Sequence, residues 1–320
     1  TFSALFAELI AQAFEPTEVT VEEGGVTVAK AFSSLPFDHL LFTGSSTVGR
    51  DVMRAAAANL TPVTLELGGK SPAIIGGRAN LHEAARRIAF GKGLNAGQTC
   101  VAPDYVLVPE SRLTAFVRHY EAACAEYYPD YVNNGDYSSI VSPAQRKRLL
   151  TALAEAEQGG AKIHRANTLP PNWRRLKKLP LLALTDVPPD SALLQDEIFG
   201  PFLPIVPYRQ DSEAIAFVDA RPNPLALYFF GYDVRSQETF LNALPSGGAV
   251  VNNTLLQFTQ HQLPIGGRGA SGMGNYHGFE GFQTFSHART VVHSGHFSTL
   301  SLIFPPYGRW AHRLLKRWVR

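Results

Sequence analysis

Between positions 39 and 69 short apolar runs alternate with a helical segment, and this alternation constrains the fold more than any other feature of the chain. Residues 39–43 (HLLFT) stop at Gly44, and residues 62–67 (PVTLEL) stop at Gly68-Gly69. Between them, residues 48–59 (VGRDVMRAAAAN) have helical character. Apolar runs of this length suit strands covered on both faces, and separating them by helices predicts βαβ units around a parallel sheet.

The same α/β pattern extends in both directions. Upstream, Leu5, Phe6, Leu9, Ile10 and Phe14 recur at helical spacing, so residues 1–14 are expected to be helical. Residues 18–21 are rich in β-branched side chains and end at Gly24-Gly25, which predicts a short strand and turn. A helix is expected over 26–32. Downstream, helices are expected over 81–90, 110–127 and 143–158, with strands at 105–108, 181–184 and 202–207. The pattern runs to about Val251, and the glycine-rich residues 266–281 read as a loop. The expected fold class is therefore α/β, built on a Rossmann-like parallel sheet.

Composition narrows the function classes. With 45% hydrophobic and 18% charged residues in 320, the chain has the makings of a large core. Lys and Arg number 29 against 27 Asp and Glu, so no charge excess points to nucleic acid or an anionic surface. Two cysteines cannot form a disulfide framework, which predicts a reducing, cytoplasmic setting. Apolar runs such as residues 224–230 fall far short of the ~20 residues a membrane span needs. No metal site is expected. The chain opens on Thr1 with a helical period already running, so it is expected to begin inside a fold.

Three glycine-rich stretches invite a phosphate-binding role. Residues 267–272 (GRGASG) fit G-x-G-x-x-G letter for letter, but no strand precedes them and no helix follows, so a structural loop is expected. Gly68-Gly69-Lys70-Ser71 ends like a Walker loop, yet that motif needs a glycine where Thr64 stands. Gly44-Ser45-Ser46-Thr47-Val48-Gly49 follows a strand and opens a helix, which is the placement that presents backbone N–H groups to a phosphate. A plain βα turn capped by Ser45 would read the same way.

Cys100 closes a run of small residues (NAGQTC) that leaves its sulfur approachable, whereas Cys124 sits among alanines in a helix, as a packing residue would. A nucleophilic thiol needs something to take its proton or favour its thiolate. Glu66, 34 residues upstream in an apolar strand, is expected to have a raised pKa and to suit acid–base work. A paired structural carboxylate is the alternative.

Four segments carry a family resemblance: Phe42-Thr43-Gly44-Ser45, residues 65–72 (LELGGKSP), Gly97-Gln98-Thr99-Cys100 and residues 197–201 (EIFGP). In this order they resemble the signature set of the aldehyde dehydrogenase superfamily. Ala102-Pro103-Asp104-Tyr105 and residues 271–278 (SGMGNYHG) are similar to its class 3 branch, within it to coniferyl-aldehyde-type enzymes. The resemblance implies an NAD- or NADP-dependent oxidation of an aldehyde, aromatic such as coniferyl aldehyde or medium- to long-chain aliphatic. It implies Cys100 as the catalytic thiol and Glu66 as the base for thioester hydrolysis. Gly44, Ser45, Gly49 and Leu67 would form the cofactor turn, Glu197 would hold the nicotinamide ribose, and Phe199 would flank the nicotinamide. It also implies a homodimer, with residues 281–292 leading into a strand shared between subunits, and no nucleic-acid partner.

Departures from the family pattern carry expectations too. Its N-terminal third has no counterpart here, which predicts an exposed sheet edge and favours a fragment of a longer product. A degenerate paralogue retaining only fold and dimer interface is the alternative. Acyl transfer to coenzyme A is a further one, which an intact Glu66 disfavours. Ile265 replaces the usual Phe beside the aldehyde and Arg268 a small apolar residue, so Ile265 is assigned to the substrate tunnel. The expected domains are 1–66 (partial cofactor domain), 67–255 (thiol domain) and 256–320 (return to the cofactor domain, interface segment and tail). In the tail, Trp310, Leu314 and Trp318 form one helical stripe among five basic residues in positions 309–320. That stripe would pack against protein or associate weakly with an anionic membrane.

Overall fold

A three-stranded sheet is built first. The computed structural model describes residues 2–318. Helices α1 (Phe2–Ala13) and α2 (Val26–Ser33) lead into β1 (Leu40–Gly44), α3 (Ser46–Ala57) and β2 (Val63–Leu67). Strands β1 and β2 pair in parallel, with Thr43 opposite Glu66. Neither α1 nor α2 buries a residue, and β1 is the sheet's edge.

The larger sheet comes from the middle of the chain. In order follow β3 (Pro72–Ile75), α4 (Leu81–Gly93), β4 (Tyr105–Pro109), α5 (Leu113–Tyr127), α6 (Pro143–Gln158) and β5 (Lys162–Arg165). Then come β6 (Leu182–Thr185), α7 (Ala192–Gln195), β7 (Phe202–Tyr208), α8 (Asp211–Asp219), β8 (Ala226–Phe230), α9 (Val234–Ala243) and β9 (Gly248–Val251). Their strand order is β5-β6-β7-β4-β3-β8-β9, parallel except where β5 meets β6.

Strand periodicity explains how this sheet is covered. Ala73 and Ile75 of β3 and Val106 and Val108 of β4 pack with α4 and α5, through residues such as Ile88 and Phe116. The alternate residues Ile74, Tyr105 and Leu107 meet Ala214 and Val218 of α8 and Phe240 of α9. Successive side chains on a strand face opposite ways, so a sheet with helices on both sides needs apolar residues at every position.

Beyond β9 lie α10 (Leu256–Thr259), β10 (Gly272–Met273) and α11 (Gly278–Thr284). Up to Phe285 the chain forms one compact unit, and a smaller one begins at Ser286. The latter contains α12 (Trp310–Trp318), on which Trp310 and Leu314 are exposed and Ala311 is buried. No helix among the described residues is long and apolar enough to cross a membrane.

Two expectations need correction. Residues 18–21 form no strand: they leave a turn closed by the Val19 amide on the Glu15 carbonyl (3.1 Å), because no neighbouring strand is there to pair with them. Residues 266–281 are more than a loop, since β10 pairs antiparallel with β2 and places Gly272 opposite Glu66. Residues 281–292, expected to lead into a strand shared between subunits, begin in α11.

Candidate active site

The expected cofactor turn lies between β1 and α3. Ser45 is the N-cap of α3, its Oγ accepting from the Val48 amide at 3.3 Å. It is exposed, which leaves the remaining amides of the first turn, those of Ser46 and Thr47, open to an anion. Gly49 is buried against Leu67: a Cβ there would come within 2.6 Å of the Leu67 side chain. Those two residues hold α3 close to β2, and Gly44 ends β1 beside them.

The segment 267–272 braces this region from the other side. The Leu67 amide donates to Ser271 O at 3.0 Å, and Ser46 Oγ to Ala270 O at 2.8 Å. Gly272, at φ 141°, lies so close to the Leu65 carbonyl that a side chain would not fit. Its G-x-G-x-x-G lettering serves contact with a strand.

Glu66 is thereby fixed in the middle of β2, between two strands. It is buried, its Oε1 has no hydrogen-bond partner among the described residues, and burial pushes its pKa up to about 7. An acid so placed exchanges a proton near neutral pH and has an oxygen to spare for a ligand.

Cys100 is delivered by a strained turn at the end of α4. Asn95, Ala96 and Gly97 all have positive φ (49°, 54° and 72°). Asn tolerates this region better than most residues, and Gly97 faces the Gly200 carbonyl too closely for a Cβ. Gln98 fastens the turn: its Nε2 donates to Asn95 O (2.9 Å) and Ser139 O (3.1 Å), and its Oε1 accepts from the Val141 amide (2.8 Å). The NAGQTC wording thus has a local cause at three of its positions.

Burial raises the Cys100 pKa, and the charges of Glu197 and Glu66 raise it further, while the amides of Cys100 and Val101 lower it. Three groups separated in sequence therefore feel one another. Cys124, by contrast, is buried in α5 and burial pushes it up to about 12.

Glu197 reaches this cluster through a set of buried bonds. Asp104, four residues after Cys100, accepts the Ile198 amide at 2.9 Å on Oδ1 and pairs with Lys70 through Oδ2. Lys70 also donates to Leu193 O and Asp196 O, each at 2.9 Å. Gln145 Nε2 holds Phe199 O at 3.1 Å, and Phe199 itself has φ 46°. The Glu197 carboxylate lies over Gly68 so closely that a Cβ there would overlap it. Burial, then the charge of Asp104, push its pKa up to about 7, and the Gly69 amide pulls against that shift.

Two tyrosines join the site without a signal in the sequence. Tyr276 is electrostatically coupled to both Glu66 and Cys100, and its amide donates to Ile265 O at 3.0 Å. Buried Ile265 is thereby tied by its backbone to a ring near the thiol. Tyr228 hydrogen-bonds to Val101 O and receives Gln257 Nε2 at 3.2 Å. Tyr276 stood within a recognised motif, but nothing local distinguished it from a packing aromatic. Lys92, fully buried on α4, is the third unanticipated member.

The residues present suit a dinucleotide: an open helix N-terminus, a glycine floor beneath a carboxylate, and a buried carboxylate oxygen without a partner. The profile of the aldehyde dehydrogenase family matches residues 1–291. The chain is 49% identical over 319 residues to a protein of Pseudomonas aeruginosa named "Probable coniferyl aldehyde dehydrogenase", covering 99% of this chain and 66% of that one. Among solved structures, the substrate-bound Staphylococcus aureus AldH superposes with a TM-score of 0.87 at 38% identity, covering 99% of this chain and 68% of that one. A Mycobacterium tuberculosis aldehyde dehydrogenase complexed with NAD+ gives 0.77 at 30% identity, with 86% and 57% covered. The chain thus spans just under two thirds of the length of its curated relatives.

Proposed function

Because the chain belongs to the aldehyde dehydrogenase family, we propose that it oxidises an aldehyde to the carboxylic acid through a thioester on Cys100, with NAD+ or NADP+ as hydride acceptor. The observation that carries this is the meeting of a partly exposed thiol with two carboxyls, buried Glu66, whose Oε1 has no partner among the described residues, and half-buried Glu197, both of which act on Cys100.

Cys100 attacks the aldehyde carbon as thiolate, forming a C–S bond and a thiohemiacetal. The Cys100 and Val101 amides favour the thiolate, offsetting part of its burial. The aldehyde hydrogen then leaves with its electron pair, and the carbon becomes a thioester on Sγ. Glu66 takes a proton from water, whose oxygen attacks the thioester carbonyl; the C–S bond breaks and the acid departs. A base with a pKa near 7 is matched to that task at neutral pH.

Bound NAD(P)+ would supply the two-electron acceptor. Gly44, Ser45 and Gly49 would take its pyrophosphate on the amides of α3, with Leu67 beneath. Glu197 would accept the two ribose hydroxyls, and Phe199 would limit where the nicotinamide can sit. Ile265 and the rings of Tyr276, His277 and Phe258, with 4.5 Å between the Tyr276 and His277 centroids, favour an apolar or aromatic aldehyde. The name of the Pseudomonas aeruginosa relative supports the coniferyl type, with medium- to long-chain aliphatic aldehydes as the companion class.

The test is reduction of NAD+ or NADP+ by the 320-residue chain with coniferyl aldehyde and a long-chain aliphatic aldehyde, with Cys100→Ala as control. Turnover that Cys100→Ala abolishes supports the proposal. Cofactor reduction that survives Cys100→Ala would remove the covalent route.

A further inference from the structure

The residue that follows the thiol is held by a tyrosine from the large sheet. Cys100 and Val101 are the central residues of a turn closed by the Ala102 amide on Thr99 O at 3.1 Å. Upstream, Gln98 braces the segment through its three bonds. Thr99 adds no such brace, since its Oγ1 is buried without a partner among the described residues. Within the turn, the Val101 carbonyl accepts the hydroxyl of Tyr228, which β8 supplies.

A third group sets the direction of that bond. Tyr228 is fully buried, and a phenol has one proton to give. Gln257, on α10, brings its Nε2 to 3.2 Å from the phenol oxygen, and an amide NH2 only donates. The Tyr228 proton is therefore directed onto Val101 O. Three segments distant in sequence (the thiol turn, β8 and α10) meet in one chain of hydrogen bonds that ends beside Cys100.

We propose that Tyr228, oriented by Gln257, is a positioning residue for Cys100: its hydroxyl pins the Val101 carbonyl, and with it the turn that presents the thiol to the site. That Cys100 is the nucleophile rests on the role proposed for it above; the hold on its turn rests on these hydrogen bonds. The Val101 amide is one of the two that favour the Cys100 thiolate, against burial and the charges of Glu197 and Glu66. One residue thus has its carbonyl tied to Tyr228 and its amide turned to the thiol. With the carbonyl released, the amide loses its fixed place and the thiol pKa moves upward. The effect is mutual, since Cys100 bears on Tyr228, whose hydroxyl burial already holds above the ordinary tyrosine range.

Alkylation of Cys100 by iodoacetamide, located by mass spectrometry, reads the thiol without any cofactor. Its rate is followed against pH in wild type, Tyr228→Phe, Gln257→Leu, the double variant Tyr228→Phe/Gln257→Leu and Tyr208→Phe. Tyr208 is the control: it is a buried tyrosine on β7 whose hydroxyl also donates to a backbone carbonyl, Ile75 O at 2.7 Å, in the core on the opposite face of the sheet. The midpoint of thiol ionisation is expected to rise by about half a pH unit in Tyr228→Phe, which makes alkylation about threefold slower at pH 7. Gln257→Leu should raise it less, and should add nothing in the Tyr228→Phe background. A merely structural tyrosine would lower the melting temperature, as Tyr208→Phe should, and leave the midpoint in place. An unmoved midpoint in Tyr228→Phe, or an equal rise in Tyr208→Phe, overturns the proposal.

Should Tyr228→Phe fail to fold, Gln257→Leu carries the test alone, because Gln257 is only half-buried on the four-residue α10. An unmoved midpoint there then overturns the proposal. A raised midpoint in a chain that reduces neither NAD+ nor NADP+ with any aldehyde overturns the catalytic role of Cys100 and leaves the hold of Tyr228 on its turn standing.

Discussion

Cys100 and Cys124 show one side chain in two environments. Cys124 packs in α5 with its pKa pushed up to about 12 by burial, so it is a small hydrophobe. Cys100 is only partly buried and has two backbone amides beside it. Cys100→Ala is expected to abolish both alkylation and turnover, and Cys124→Ala to retain both; mass spectrometry and cofactor reduction check this. Glu66 makes a second comparison. In Glu66→Gln a burst of reduced cofactor should precede a much slower steady state, because the thioester forms but lacks its base; equal loss of both phases would assign Glu66 to the thiol instead. As the base must be unprotonated, the hydrolysis rate should rise with pH through about 7 in wild type and lose that rise in Glu66→Gln. Stability runs the opposite way. The folded pKa stands above the ordinary 4.5, so the stabilisation from a protonated Glu66 is complete below 4.5 and lost as pH rises through about 7. Glu66→Gln should therefore melt about 2 °C or more above wild type at pH 8.5, and show no such gain at pH 4.

Among the elements, the turn from α4 to Cys100 has an unusual backbone. Three consecutive residues there have positive φ, and side-chain bonds from Asn95 and Gln98 keep them so. Gly97→Ala would press a methyl onto the Gly200 carbonyl at a φ of 72°. A loss of roughly 1–3 kcal/mol is expected, with slower Cys100 alkylation, because the turn must move to relieve the clash. Chemical denaturation and the alkylation rate together check it; an unchanged alkylation rate would show that the turn does not set the thiol. The pairing of β10 with β2 has a similar logic, since it bears on Glu66 from the strand opposite β1.

On the scale of the whole chain, the exposed apolar surface is where assembly is expected. Phe285, Val291 and Val292 lie exposed in the segment over 281–292, and the family resemblance implies a dimer through it. Light scattering at micromolar concentration on a chain completed with the family's N-terminal part should give a dimer, and monomer alone would remove that carry-over. On α12, Trp310 and Leu314 are exposed beside Arg309, Arg313, Lys316 and Arg317. Protein packing is the expected role of this stripe, so the chain should not co-sediment with vesicles of anionic phospholipid at low salt. Co-sedimentation that disappears on deletion of residues 308–320 would assign the stripe to a membrane surface.

Local rules sufficed for much of this molecule. The α6 boundaries, the Ser45 cap and the strands after Leu40, Val63, Tyr105 and Phe202 follow from periods of two and 3.6 residues and from caps acting within one turn. The NAGQTC and EIFGP segments were legible through the family resemblance; Asn95 and Gln98 brace the first locally, whereas Asp104, Gln145 and Arg148 hold the second from elsewhere in the chain. Residues 18–21 were misread because strand formation needs a partner that lies elsewhere in the chain. The short β10 was hidden likewise, because two residues carry no period and only its approach to β2 makes it a strand. The pKa values of Glu66 and Glu197 near 7, the unpartnered Lys92, and Tyr276 beside the thiol were decided by tertiary structure. Desolvation and electric field are sums over groups from distant parts of the chain, and they take a value only once the sheets have brought those groups together.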